Sequence, residues 1–569
     1  MLDVKNANPS DSAAEALKGI IEKAFAAAMD SGALAKAEIP AFNIEIPADR
    51  AHGDFSSNAA MASARAFRMA PVKIAGALIA HADLEGTPFR SCEVAGPGFL
   101  NFFLSDEWFA DTVSAVLAAG KDYGRTDHGR GEKVMVEFVS ANPTGPMHLG
   151  NARGGTLGDC LASCLDASGH DVTREFYVND AGNQIERFAL SLEARYLQIY
   201  LGEDAVAMPE DGYQGADIIE RAKGFAALNG DSYVSADPET RKKALTEYAL
   251  PLNIEKMRAD LEKYRITYDV WFRESELHRS GAVAETIEMF RSRGLTYEKD
   301  GALWYKATEF GGEKDEVLIR QNGFPTYFAV DIAYHINKFV KRGFARVINV
   351  WGADHHGHVA RLKGAMDAAG LRGDKLDIVL VQLVRTLSNG EVVRMSKRTG
   401  KAITLTNLIE EIPVDAARFF FDMREPGSSL DFDLELAAEQ SSQNPVYYVQ
   451  YAHARICSIL KNLSAAGVEP RECSAQELLL LSSPEERELI FALARFPSQI
   501  IEAADSYDPA LITRYLIDTA TLFHKFYNTC RVKAEDERLM QARIALCLAA
   551  RQVVANALAL IKVDAPTVM

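Results

Sequence analysis

Two stretches of the chain carry residue types suited to gripping phosphate. The first, Ser140-Ala-Asn-Pro-Thr-Gly-Pro-Met-His-Leu-Gly-Asn-Ala-Arg-Gly-Gly155, follows the apolar run Lys133-Val-Met-Val-Glu-Phe-Val139 and leads into a helical pattern. A helix that begins just after a buried strand presents unpaired N–H groups and a positive dipole end, both of which attract phosphate. His148 and Asn151 stand three residues apart at that end as donors, and Gly150 leaves room for a nucleotide to approach the backbone. The second stretch, Arg394-Met-Ser-Lys-Arg-Thr-Gly-Lys401, follows an apolar run at 377–384, where the crevice of an open α/β sheet lies. Its cations and serine are suited to closing over a triphosphate. Taken singly, one stretch is also a tight turn with a surface histidine and the other a solvated basic loop. Their pairing points to a nucleotide.

Carboxylates supply the second kind of chemistry. Glu137 interrupts the apolar strand that feeds the first stretch, and a buried, unpaired acid is costly unless a cation meets it. Tyr327 and Asp331 are four apart in a segment with helical apolar spacing, so both would face one pocket. Asp331 is equally explicable as a surface or capping acid. A cationic ligand would remove the cost of the buried acid. The cluster His355-His-Gly-His358 invites zinc, yet it follows Gly352-Ala-Asp354 at the end of a predicted strand, where nucleotide and substrate meet in such folds.

The elements that must position these residues follow from pattern. Predicted strands at 133–139, 171–178, 346–351 and 377–384 are nearly all apolar, as strands covered on both faces should be, so the expected fold is α/β with a doubly wound parallel sheet. An α+β domain is expected over 1–120, with a glycine- and charge-rich linker at 121–132. The sheet domain spans 121–435, with an insertion at about 200–300. From 436 to 569 the starts Asn444-Pro445, Ser483-Pro484 and Asp508-Pro509 predict an α-helical bundle. Two of its helices carry Tyr447, Tyr448, Tyr451 and Arg455, and Phe523, His524, Phe526, Tyr527 and Arg531. Aromatic rings beside arginine stack unpaired bases, although such rings also build bundle cores.

The 569 residues carry a formal charge of −17, which argues against indiscriminate nucleic-acid binding but leaves room for a basic groove. Seven scattered cysteines without a C-x-x-C fit a reducing cytoplasm, and Cys160 and Cys164, one turn apart, read as packing. Neither a secretory start nor a run near the roughly 18 apolar residues of a membrane span is evident.

The pair His-Leu-Gly-Asn and Met-Ser-Lys-Arg resembles the two ATP-binding signatures of class I aminoacyl-tRNA synthetases, HIGH and KMSKS. Val136-Glu-Phe-Val-Ser-Ala-Asn-Pro143, Tyr177-Val-Asn-Asp-Ala-Gly-Asn183, Phe324-Pro-Thr-Tyr-Phe-Ala-Val-Asp-Ile-Ala333, Tyr448-Val-Gln-Tyr-Ala-His-Ala-Arg455 and Phe526-Tyr-Asn-Thr-Cys-Arg-Val532 narrow the resemblance to the arginyl-tRNA synthetases. Two departures stand out: Asn151 replaces the second histidine and Arg394 the first lysine.

The resemblance implies a Rossmann-type catalytic domain, a tRNA-contacting N-terminal domain and an anticodon-binding bundle. It implies ATP contacts at His148, Gly150, Asn151, Gly352, Asp354, Met395 and Lys397, with Ser396 and Lys397 on the departing pyrophosphate. It places arginine against Glu137, Asn142, Tyr327, Asp331 and His355. It places tRNA(Arg) against Tyr447, Tyr451, Arg455, Tyr527, Arg531 and Met569. Magnesium is expected only as the ATP complex, with no structural metal and no membrane, in a cytoplasmic monomer. A class I synthetase for another amino acid and a silent tRNA-binding paralogue are the competing readings; the first would leave two acids unpaired.

Overall fold

The computed structural model describes residues 7–388, 390–393 and 403–569, so the basic stretch at 394–401, with Met395, Ser396 and Lys397, lies outside the described residues. At the centre is a five-stranded parallel sheet. Its strands in chain order are β1 (Lys133–Glu137), β2 (Asp171–Val178), β3 (Val270–Arg273), β4 (Arg346–Gly352) and β5 (Leu376–Val381), arranged β5-β4-β1-β2-β3. The order reverses direction beside β1, so the crevice outside the carboxyl ends of β1 and β4 is the switch point at which such sheets bind ligands.

Helix α1 (Leu149–Ala167) packs closely along β1: a Cβ at Gly158 would meet the Phe138 side chain at 2.4 Å. Two strand expectations need correction. Val270–Arg273 lies inside the stretch read as an insertion but is the edge strand of this sheet. The run at 377–384 is two strands, because after Val381 the chain leaves the sheet and Val384–Ser388 pairs with Glu391–Val393 and Leu430–Asp433. A further antiparallel sheet, Thr296–Lys299, Ala302–Tyr305 and Glu316–Ile319, precedes helix α2 (Tyr327–Ile336).

The N-terminal domain is an antiparallel sheet, in order Ile44–Glu45, Phe55–Ser57, Phe99–Leu104, Phe89–Ala95, under helices Pro9–Asp30, Ala59–Phe67 and Pro71–His81. The segment expected to be a linker is pinned: the Tyr123 hydroxyl donates to Leu493 O, and Asn556 Nδ2 donates to the carbonyls of Gly120 and Tyr123. The C-terminal bundle includes α3 (Pro445–Ala465), α4 (Ala510–Thr529) and Glu537–Leu560. Asn444 and Ser483 cap their helices as predicted. Glu537–Leu560 is long and apolar enough to cross a membrane, contrary to the expectation from sequence; here its apolar residues, Leu546, Val553 and Leu558 among them, are buried in the bundle.

Buried charge knits the domains together. Arg418, wholly buried, donates to Asp159 Oδ2 (2.7 Å) on α1, to Tyr264 O and to Ile561 O. Arg265 donates to Asp415, to Lys562 O and to Asp564, which holds the C-terminal tail on the catalytic domain.

Candidate active site

The first signature builds a helix cap. His148 is the N-cap of α1; its Nδ1 accepts from Gly150 N at 3.1 Å, and Asn151 Oδ1 accepts from His148 N at 3.0 Å, a reciprocal capping box. With Nδ1 accepting, the neutral ring carries its proton on Nε2, and Asn151 retains its Nδ2 amide as a donor. Burial holds the His148 imidazole below its ordinary range, and only the opposing field of Asp354 raises it. The ring is therefore neutral at pH 7, with its proton on Nε2. Gly352 and Asp354 close β4 opposite this cap, and Asp354 is exposed.

The exit of the second signature is tied to the first. Thr404 forms a β-bridge with His148, Leu405 N donates to Met147 O (2.9 Å), and Thr404 caps helix Leu405–Glu411.

Beside the cap lies a cavity of about 1120 Å³ whose walls include Glu137, Tyr327, Asp331, Gly352, Asp354 and His355. The structure thus brings the two predicted acids to one cavity. Tyr327 begins α2 and is 44% exposed, its ring 3.4 Å from where a Cβ on Gly182 would sit. Asn142 is exposed in the loop ahead of α1 and does not line the cavity.

Glu137 departs from the expectation of an acid awaiting a guest. It is buried, with Lys338 Nζ 2.5 Å from Oε2 and Ser140 Oγ donating to Oε1 at 2.9 Å. Ser140 and Val139 have φ of 42° and 69°, a left-handed turn costly for a β-branched residue, and Ser140 Oγ also accepts from Tyr177 N. Asp331 accepts from His358 Nε2 at 3.0 Å, while His358 Nδ1 accepts from Arg361 Nε at 2.7 Å and Arg361 Nη1 donates to Glu316. His358 is therefore an acid's partner, whereas His355 and His356 are exposed. No group of three or more metal-ligating side chains is found among the described residues. Sequence reasoning missed Lys338 and Arg361, since a lysine and an arginine on helices look like solvated charges until their partners are known.

In the bundle, Arg455 lies 4.3 Å from the Tyr527 ring centroid and 5.9 Å from that of Tyr451, forming a stacked, part-exposed patch across α3 and α4. His524 lies among Tyr448, Tyr451 and Phe523, and its shielded ring nitrogens have no hydrogen-bond partner among the described residues. Phe523 and Phe526 are core. Tyr447 is half-buried on α3, and Arg531 is exposed just beyond α4. Met569 is 44% exposed at the end of the tail, which His453 engages at Pro566 O.

Comparison with known proteins decides the family. Residues 112–456 match the model of the catalytic domain of the class I (R) tRNA synthetases, 13–104 the arginyl tRNA synthetase N-terminal domain, and 449–569 the DALR anticodon binding domain. An arginine–tRNA ligase of Caldanaerobacter subterraneus subsp. tengcongensis is 56% identical over 554 residues, covering 97% of this chain and 98% of its own. That of Ruminiclostridium cellulolyticum is 54% identical over 538 residues, 95% of each chain. The chain belongs to the arginyl-tRNA synthetase family. The synthetase also shares its fold with Thermus thermophilus arginyl-tRNA synthetase, at a TM-score of 0.73 and 22% identity over 96% of this chain and 99% of that one. Arginine–tRNA ligation is accordingly its activity, and ATP its energy source.

Proposed function

We propose that the cavity between β1, α2 and β4 takes the arginine side chain and that the α1 cap takes ATP. The arginine carboxylate then attacks the α-phosphorus, pyrophosphate leaves, and the arginyl group passes from the adenylate to the terminal ribose of tRNA(Arg). The observation that supports this is the convergence of Glu137 and Asp331 on one cavity whose rim carries Gly352 and Asp354, opposite the His148 cap.

Attack on the α-phosphorus adds negative charge to its oxygens, and fixed donors stabilise that charge without reorganisation. We assign this role to His148 Nε2–H and Asn151 Nδ2. Met395, Ser396 and Lys397 are assigned to ATP and the departing pyrophosphate on the family resemblance. Magnesium arrives with ATP as part of the substrate, held largely by phosphate oxygens and water.

The guanidinium loses its hydration on entry, and acids in bidentate reach restore its hydrogen bonds. Asp331 and Glu137 are assigned to it, with Tyr327 at the cavity wall and Asn142 and His355 at the amino-acid head group. Tyr447, Tyr451, Arg455, Tyr527, Arg531 and Met569 are assigned to the anticodon arm. The test is incubation of the purified chain with ATP, total tRNA and each amino acid. Arginine alone should be attached, and tRNA binding without attachment would overturn the proposal.

A further inference from the structure

Glu137 and Asp331 enter the cavity from different elements, and a buried chain of hydrogen bonds runs from the Glu137 carboxylate to the main-chain carbonyl of Asp331 on α2. His335 Nδ1 donates to Asp331 O (2.7 Å), and its Nε2 accepts from Asn349 Nδ2 (2.7 Å). Asn349 Oδ1 accepts from Lys338 Nζ (3.1 Å), and Lys338 Nζ reaches Glu137 Oε2 at 2.5 Å. All four side chains of this chain, His335, Asn349, Lys338 and Glu137, are buried.

Lys338 occupies this place because the helix changes pitch. After Ile336, α2 continues as a π-helical turn, Asn337–Lys341, closed by Arg342 N donating to Asn337 O at 3.0 Å. Such turns interrupt regular helices mostly at functional positions. Here the turn delivers an ammonium with no exposed surface behind Glu137, 4.0 Å from the Tyr334 ring centroid. A buried lysine is tolerated only where it is paired and hydrogen-bonded, and this one has an acid, an amide and a ring.

We propose that Lys338 is a positioning residue for arginine recognition: from its π-turn it fixes the Glu137 carboxylate and, through Asn349 and His335, registers it against Asp331 to the spacing of a guanidinium fork. The inference rests on the assignment of Glu137 to the guanidinium. Lys338 also gives Glu137 a partner before substrate arrives, so the acid does not collapse onto a different neighbour in the empty site.

The test is aminoacylation kinetics of the full chain with tRNA(Arg) at varied arginine and varied ATP. Lys338→Met should raise KM for arginine about tenfold or more, the equivalent of one misplaced hydrogen-bonded contact, with KM for ATP within about twofold of the parent on the same scale. The double variant Lys338→Met/Glu137→Gln should be no worse than Glu137→Gln alone, because a residue acting through Glu137 has nothing left to position. An unchanged or lower arginine KM, equal losses for ATP and arginine, or multiplicative effects in the double variant would each overturn the inference. Should Lys338→Met fail to fold, Asn349→Ala breaks the same chain and decides by the same comparison. If Glu137→Gln leaves arginine KM unchanged, the pocket assignment itself falls and the inference with it. If Glu137→Gln raises KM and Lys338→Met does not, only the inference falls.

Discussion

His358 Nε2 stands 3.0 Å from Asp331 Oδ2, and its Nδ1 accepts from Arg361, which in turn holds Glu316. An acceptor at Nδ1 fixes the proton on Nε2, so Asp331 receives a directed donor rather than a freely rotating charge. Asp331→Asn is expected to raise arginine KM strongly while leaving ATP binding nearly intact, because a neutral amide leaves a guanidinium donor unmet. His358→Ala removes one hydrogen bond to the acid and should cost about 1–2 kcal/mol of arginine affinity. Steady-state kinetics for each substrate check both, and equal losses for ATP and arginine would show that Asp331 is merely structural.

The helix cap that His148 forms and the phosphate contact proposed for it can be separated by mutation. His148→Ala should slow adenylate formation about a hundredfold through loss of a transition-state donor, but lower stability by only about 1 kcal/mol through loss of a cap. His148→Asn should keep most of the stability and little of the rate. Because burial lowers the folded-state pKa below the ordinary value near 6.5, the unfolded ring takes up its proton first as pH falls. The cap is therefore fully present above about pH 6.5 and is lost as pH drops towards the lowered value, where a protonated Nδ1 can no longer accept from Gly150. Pyrophosphate exchange and thermal unfolding across pH 5 to 8 measure the two halves.

Removing the stacked patch should weaken tRNA alone. Arg455→Ala and Tyr527→Ala separate a guanidinium and ring 4.3 Å apart, and loss of one stacking platform costs about 1–3 kcal/mol. KM for tRNA should rise by roughly tenfold on that scale, with KM for arginine and ATP unmoved. Filter binding with unmodified tRNA provides the independent check.

Asp422 is a buried acid between α1 and the bundle; burial pushes its pKa up to about 7 against a hydrogen bond from the Cys160 thiol and the field of Arg418. The sign is opposite to that of His148. Its folded pKa exceeds its unfolded one, so its penalty is absent at low pH, grows as pH rises through the unfolded value and levels off above about 7. Asp422→Asn should therefore gain melting temperature relative to the parent, and by more at pH 8 than at pH 6. A gain that shrinks with rising pH would sink this account.

The backbone scaffold was largely legible and the partnerships were not. β2 falls at 171–178 as its apolar run predicts, and the capped starts of the bundle follow from Asn-Pro and Ser-Pro pairs, because these signals are local. Val270–Arg273 was hidden because a four-residue edge strand is too short for periodicity to register beside the polar helices around it. At the site, the acids were visible as polar residues in apolar settings, but the ammonium that meets Glu137 lies 201 residues away in sequence and depends on a π-turn that no spacing rule anticipates. Asp331 was legible as half of an i, i+4 pair, whereas its histidine arrives from the helix after β4, and only tertiary geometry couples them.

The bridge between Thr404 and His148 has a consequence for reading variants. Ile403 is buried and Leu405 N holds Met147 O, so the segment leaving the second signature is bolted to the imidazole's own backbone. A bulky or proline replacement at 403–405 would tilt the His148 ring from behind, and a screen that scored only turnover would record it as damage to His148 while that side chain stood unaltered.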